Sequence, residues 1–188
     1  MKKSILVTLT VLTSFLSQAQ FIKETSIDAA IGLGYTFAYE DFDITGSGFY
    51  LQGSYVMTIT SWIDIRPYTG IILTKADELQ NPENFPDYQV STKAFFLGGK
   101  TRIKAPIPWV SPYVEIGVGA SIGSFRTFTP GTDIDKSGVL AHMPWSLGLE
   151  IGRNHKFDIA VSYLEHPSAE QVCGALAFGY SFPLDGKN

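Results

Sequence analysis

The groups best able to do chemistry in this 188-residue chain are charged side chains set among small ones. Asp64 and Arg66 are spaced two apart, as are Lys100 and Arg102, while Asp28, Glu115, Glu150 and Asp158 stand singly in stretches where small and apolar residues alternate. Carboxylates facing cations across a narrow space form a salt-bridged core; with room between them, they form the constriction of an ion-conducting pore. Five acids and three bases make up this set. His166-Pro167-Ser168, beside Glu165, holds the residue types of a base–nucleophile–acid arrangement. Its proline and polar surroundings also read as an ordinary loop. His142 reads as a hydrogen-bonded filler and His155 as a turn residue. The lone Cys173 allows no intrachain disulfide and offers no zinc cluster. No cofactor, no metal and no catalytic residue is expected.

Positioning these groups falls to long stretches of period two. In 26–40, Ile27, Ala29, Ile31, Leu33, Tyr35, Phe37 and Tyr39 alternate with small or polar residues, the signature of a strand with one apolar face. The pattern returns at 49–59, 63–74, 89–103, 110–122, 138–152, 157–164 and 172–182, which predicts eight strands. Several are long enough to cross a bilayer at a tilt, which takes about 9–11 residues. The connections alternate between long polar segments (41–48, 75–88, 123–137, 165–171) and short turns (60–62, 104–109, 153–156). Pro67 and Pro112 fall near the turn ends of their strands, and Pro144, in mid-strand, asks for a bulge. Lys93 has the parity of the apolar face and belongs at or beyond the edge of any apolar band.

The first 19 residues have a separate character. Lys2 and Lys3 precede an apolar run, 5–16, and Ser17 and Ala19 stand at the small positions of a cut after Ala19. This is the pattern of a secretory signal peptide, too short for a spanning helix. Its removal leaves one domain, 20–188, and takes the net charge from −4 to −6 with the loss of two lysines. An acidic balance without a basic run argues against nucleic acid.

The face that carries the charges decides between two barrels. A water-soluble barrel would turn its apolar face inward and cover its exterior with Lys, Glu and Asp. Here the polar face is mostly Gly, Ala, Ser and Thr, which suits the narrow lumen of an eight-stranded barrel whose apolar face meets lipid. The fold expected is all-β, an eight-stranded antiparallel up-and-down transmembrane β-barrel. With short turns on the periplasmic side, Asp28, Asp64, Arg66, Lys100, Arg102, Glu115, Glu150 and Asp158 all fall in the periplasmic half of the lumen. They read there as a salt-bridged plug, with a narrow ion-passing pore as the alternative. The outer loops hold eleven acids, Glu40, Asp41, Asp43, Asp77, Glu78, Glu83, Asp87, Asp133, Asp135, Glu165 and Glu170, against Lys75, Arg126 and Lys136. The turns and termini hold Lys23, Lys104, Arg153, Lys156 and Lys187. Such acids could share divalent cations with lipopolysaccharide phosphates.

The leader, the stretch 26–40, RPYTGIIL (66–73), SPYVEIGVGASIG (111–123) and the closing GALAFGYSF (174–182) together resemble the small outer-membrane β-barrel superfamily, the OmpA/OmpX-like "porin family" proteins. That resemblance implies a monomer in the outer membrane, in contact with lipid and lipopolysaccharide. It also implies insertion by the barrel-assembly machinery, through the alternating Phe178, Tyr180 and Phe182. The role implied is structural or adhesive. No peptidoglycan-binding domain is expected after the barrel. The His166/Ser168 pair bears a faint resemblance to the lipid A deacylase barrels. Those continue with Asn after the serine and carry a later Glu, whereas here Ala169 follows and the last strand has no acid.

Overall fold

A computed structural model describes residues 22–40, 43–77 and 88–184. The expected signal peptide, Asp41, the loop acids Glu78, Glu83 and Asp87, and Lys187 lie outside the described residues. Eight strands form: β1 (Glu24–Ala38), β2 (Thr45–Thr60), β3 (Ile63–Ala76), β4 (Gln89–Lys104), β5 (Val110–Phe128), β6 (Asp133–Ile151), β7 (Phe157–His166) and β8 (Gln171–Pro183). Each pairs antiparallel with its neighbours in the chain, and β8 closes on β1. Following paired residues once around, through Glu24, Thr58, Asp64, Arg102, Glu115, Ser146, Ser162 and Ala175, returns to β1 at Gly34. Closure therefore staggers the sheet by ten residues, from Glu24 to Gly34. That stagger tilts the strands by about 35–45° and leaves an interior just wide enough for side chains.

The alternation sorts as the strands require. Ile31, Leu33, Ile116, Val118, Val139 and Phe178 are exposed, with Val118 at 72%, while inward positions such as Glu115, Ser121, His142 and Ala177 are buried. One end of the barrel carries the turns β2–β3, β4–β5 and β6–β7, the start of β1 and the finish of β8; it is called the turn end below. The other is the loop end.

Several boundaries differ from the sequence reading. β5 runs on to Phe128 and β6 starts at Asp133, so the segment 123–137 is mostly hairpin and only 129–132 connects. Polar residues masked the strand, because a paired hairpin satisfies its backbone without an apolar face. β2 begins at Thr45, four residues early, and β1 stops at Ala38. The long–short alternation of the connections thus largely turns into strand length. Lys104 is not in the turn but ends β4, with inward parity continued from Lys100 and Arg102.

The prolines make no bulge. β2–β3 pairing lapses between Ser54↔Tyr68 and Met57↔Ile65 around Pro67, and β5–β6 pairing lapses between Ile116↔Trp145 and Gly119↔His142 around Pro144. The register is the same on both sides of each gap. A missing N–H simply drops its rungs while the second neighbour holds the strand, as Gly99 does for Pro67 and Leu164 for Pro144. The register shift that is present lies at Thr58/Thr60, beside the β2–β3 turn.

Candidate functional site: the lumen

The eight charged residues singled out from sequence meet in the turn-end half of the lumen, each at an inward position of its strand. Asp64, Arg102 and Glu115 are direct cross-strand partners on β3, β4 and β5, as are Arg66 and Lys100 on β3 and β4, and Glu150 and Asp158 on β6 and β7. Glu115 is the hub. Its carboxylate lies 2.8 Å from Arg102 Nε, 3.1 Å from Lys100 Nζ and 3.2 Å from Arg66 Nε. Arg102 then reaches across the lumen to Glu150 Oε1 at 2.7 Å and Asp158 Oδ2 at 2.8 Å, while Arg66 pairs with Asp28 on β1. The Tyr113 hydroxyl donates to Asp158 Oδ1 at 2.7 Å, and its ring lies 3.4 Å beneath the Arg102 guanidinium. Multiple charge-assisted bonds of this kind are what make ionised groups tolerable away from water.

Lys104 joins the network, which the turn assignment had missed. Its Nζ sits 2.9 Å from Asp64 Oδ2 and 3.4 Å from Glu150 Oε2. The inward parity of Lys100, Arg102 and Lys104 is the signal that could have placed it. The balance becomes five acids against four bases. Asp64 is the least satisfied: it is fully buried, and Lys104 approaches it off the angle a hydrogen bond needs, so neither carboxylate oxygen has a hydrogen-bond partner. A space of about 30 Å³ remains among Gln52, Arg66, Lys100 and Glu115, room for one or two waters. Below the network a vestibule of about 390 Å³ reaches the turn end, with Lys23 and Lys156 among its lining residues.

Above the charges the lumen is neutral. Tyr50, Phe96 and Tyr68 pack ring against ring, with centroids 5.6 and 6.0 Å apart, and His142, His166 and Phe125 continue the series. Small inward residues make the space. A Cβ on Gly70 would collide with the Phe96 ring, and one on Gly119 with the Tyr68 hydroxyl and His142 Nε2. Neither Phe96 nor Phe125 was singled out from sequence, although the parity of Ala94 and Gly98 puts Phe96 inward.

A hydrogen-bonded chain threads this layer. Tyr68 Oη is 2.6 Å from His142 Nε2, His142 Nδ1 is 2.8 Å from Ser121 Oγ, and Ser121 Oγ is 2.8 Å from His166 Nε2. Tyr68 donating to His142, His142 to Ser121 and Ser121 to His166 leaves a single orphan, His166 Nδ1–H. The reverse direction would also strand the Tyr68 proton, so the first is favoured. Higher still, Thr36, Thr74, Thr92, Thr127, Gln171 and Cys173 share hydroxyl, amide and thiol contacts, all buried.

His166 and Ser168 are not brought together. His166 is fully buried and turned toward Ser121, whereas Ser168 is exposed in the 3₁₀ turn Pro167–Ala169, where its carbonyl accepts from Lys136 Nζ. That turn begins as soon as β7 ends, so the two side chains part inward and outward.

No protein-family model matches the chain, and no curated protein matches it. Solved structures do. Neisserial surface protein A aligns at 13% identity and a TM-score of 0.57, over 84% of this chain and 96% of its own. The outer membrane protein OprG from Pseudomonas aeruginosa aligns at 13% identity and a TM-score of 0.53, over 87% and 98%. The N-terminal β-barrel domain of OprF from the same organism aligns at 13% identity and a TM-score of 0.51, over 86% and 99%. At such identity the likeness is one of architecture, and the chain shares its closed eight-stranded fold with small outer-membrane barrels.

Proposed function

We propose that the chain, after loss of its leader near Ala19, is an integral protein of a bacterial outer membrane. Its lumen is plugged, and it serves a structural or surface-interaction role without catalysis. The observation that carries this reading is the inversion of an ordinary protein: the buried interior holds the charges and the exterior holds the apolar band. Ile116, Val118 and Val139 are 69%, 72% and 68% exposed, an arrangement lipid stabilises and water does not. Exposed Trp62 and Trp109 at the turn end suit the inner interface, and the stacked Trp145–Tyr163 pair, centroids 4.1 Å apart, suits the outer half. The ion-paired layer and the aromatic layer above it support a plug. The absence of a His–Ser contact at His166 and Ser168 supports a non-catalytic role.

Heat-modifiable gel migration of the outer-membrane fraction tests the barrel. Migration unchanged by boiling, with the protein recovered in the soluble periplasm, would overturn it. Planar-bilayer recordings test the plug, which predicts a silent wild-type protein; steady unitary currents would establish a pore instead. Mass spectra of lipid A from cells with and without the protein should be identical.

A further inference from the structure

Three cations gather on the outward face near the loop end of the barrel. On the β7–β8–β1 side the rim carries Glu40, Glu165 and Glu170. On the β3–β4–β5 side the outward face carries Lys75, Lys93 and Arg126, all exposed. The register draws these three together. Lys93 pairs with Leu73 on one side and Ser124 on the other, and Lys75 and Arg126 each stand two residues further toward the loop end on the same faces. Ser91, paired with Arg126, completes a triangle of three cations with the hydroxyls of Ser91 and Ser124 between them. Among the described residues neither Lys75 nor Lys93 has a carboxylate within ion-pair distance. Arg126 has only the exposed Asp135 at 3.7 Å, and Asp77 is taken by the Thr45 and Ser47 hydroxyls.

The height of this patch names its partner. Ten residues of β4 separate Lys93 from Ile103; at about 3.3 Å each and a tilt near 40°, they raise it roughly 25 Å. That is about the height of the apolar band of an outer-membrane barrel. Immediately beneath the triangle the outward face is Leu73, Phe95 and Ile122, exposed and apolar. Cations and hydroxyls over a hydrocarbon-facing wall match a lipid whose phosphorylated headgroup lies at the boundary and whose chains lie below it.

We infer that Lys75, Lys93 and Arg126 form a docking site for the phosphates of an outer-leaflet glycolipid, bound directly rather than through divalent cations. This rests on the outer-membrane reading above. The probe is bis-phosphorylated lipid A, with its dephosphorylated form as control, titrated into the full protein held in nanodiscs. The wild type is expected to favour the phosphorylated lipid. The triple variant Lys75→Gln, Lys93→Gln, Arg126→Gln is expected to lose about 5-fold in affinity per cation, roughly 100-fold in all. Chelator should leave wild-type binding unchanged. Equal binding by the triple variant, equal binding of both lipids, or abolition by chelator would overturn the inference; the last would hand the site to the acidic rim. Heat-modifiable migration of the same samples separates the two levels. A protein that keeps its shift but ignores phosphate loses only this inference, and one without the shift loses the barrel as well.

Discussion

The two halves of the lumen are filled by opposite chemistry. Near the turn end, residues on six strands of the sheet are tied by ion pairs in which one group serves several partners: Glu115 holds three cations and Arg102 three carboxylates. Toward the loop end, Tyr68, His142, Ser121 and His166 pass single hydrogen bonds in one direction, packed among rings. Both halves are buried, yet they fail differently. A shared charge cannot be removed without stranding several others in low dielectric, whereas a neutral link strands one dipole.

The largest effect should therefore come from Glu115→Gln. It leaves Arg66, Lys100 and Arg102 crowded on the remaining acids and should lower the unfolding free energy by about 3–5 kcal/mol. Urea titration of the detergent-folded protein, followed by tryptophan fluorescence, measures it. Combining Glu115→Met with Lys100→Met should recover part of the loss, because Asp28, Glu150 and Asp158 still pair the two arginines. A single-variant loss below about 1 kcal/mol would erase the contrast between the halves.

Gly119→Ala comes next. The new methyl group meets the Tyr68 hydroxyl, His142 Nε2 and the Leu97 carbonyl oxygen at once, and overpacking of this kind costs about 1–3 kcal/mol. Tyr68→Phe probes the same spot without adding volume. It removes one donor from the head of the chain and should cost about 1 kcal/mol in the same titration. If Tyr68→Phe proved as damaging as Glu115→Gln, the neutral half would be as interdependent as the charged one.

The strands and their inward charges were legible because parity is a local property: every second residue of β1, β5 and β6 announces its face. What was lost lay where a local cue competed with parity. Lys104 was drawn into a turn by the prolines that follow it, and Phe96 was passed over because an aromatic beside Phe95 looks like more apolar face. The 123–137 segment reads as a loop because its residues are polar, although hydrogen bonding to a partner strand asks nothing of hydrophobicity. Pro144 posed a problem only under the assumption that a lost rung must shift the register. His166 and Ser168 stand two residues apart with the same parity, but the 3₁₀ turn that begins at Pro167 separates their side chains, and Pro167 is the one local mark of that break.

The smallest effect sharpens the comparison most cheaply. Arg126 and Asp135 form an arginine–carboxylate pair like those around Glu115, directly opposite on β5 and β6, but at 3.7 Å and with side chains 48% and 64% exposed. Water screens such a pair and side-chain entropy opposes it, so Arg126→Ala in a zwitterionic detergent should change the unfolding free energy by no more than about 0.5 kcal/mol. Chemical type is then held constant between Arg126 and Arg102 while burial and the number of partners vary. A loss near zero at the rim beside a loss of several kcal/mol in the lumen would assign the difference to environment alone. A loss above about 1 kcal/mol at Arg126 would mean that the β5–β6 hairpin depends on its charges beyond the barrel wall, and that the division between a charged interior and a lightly held rim is drawn in the wrong place.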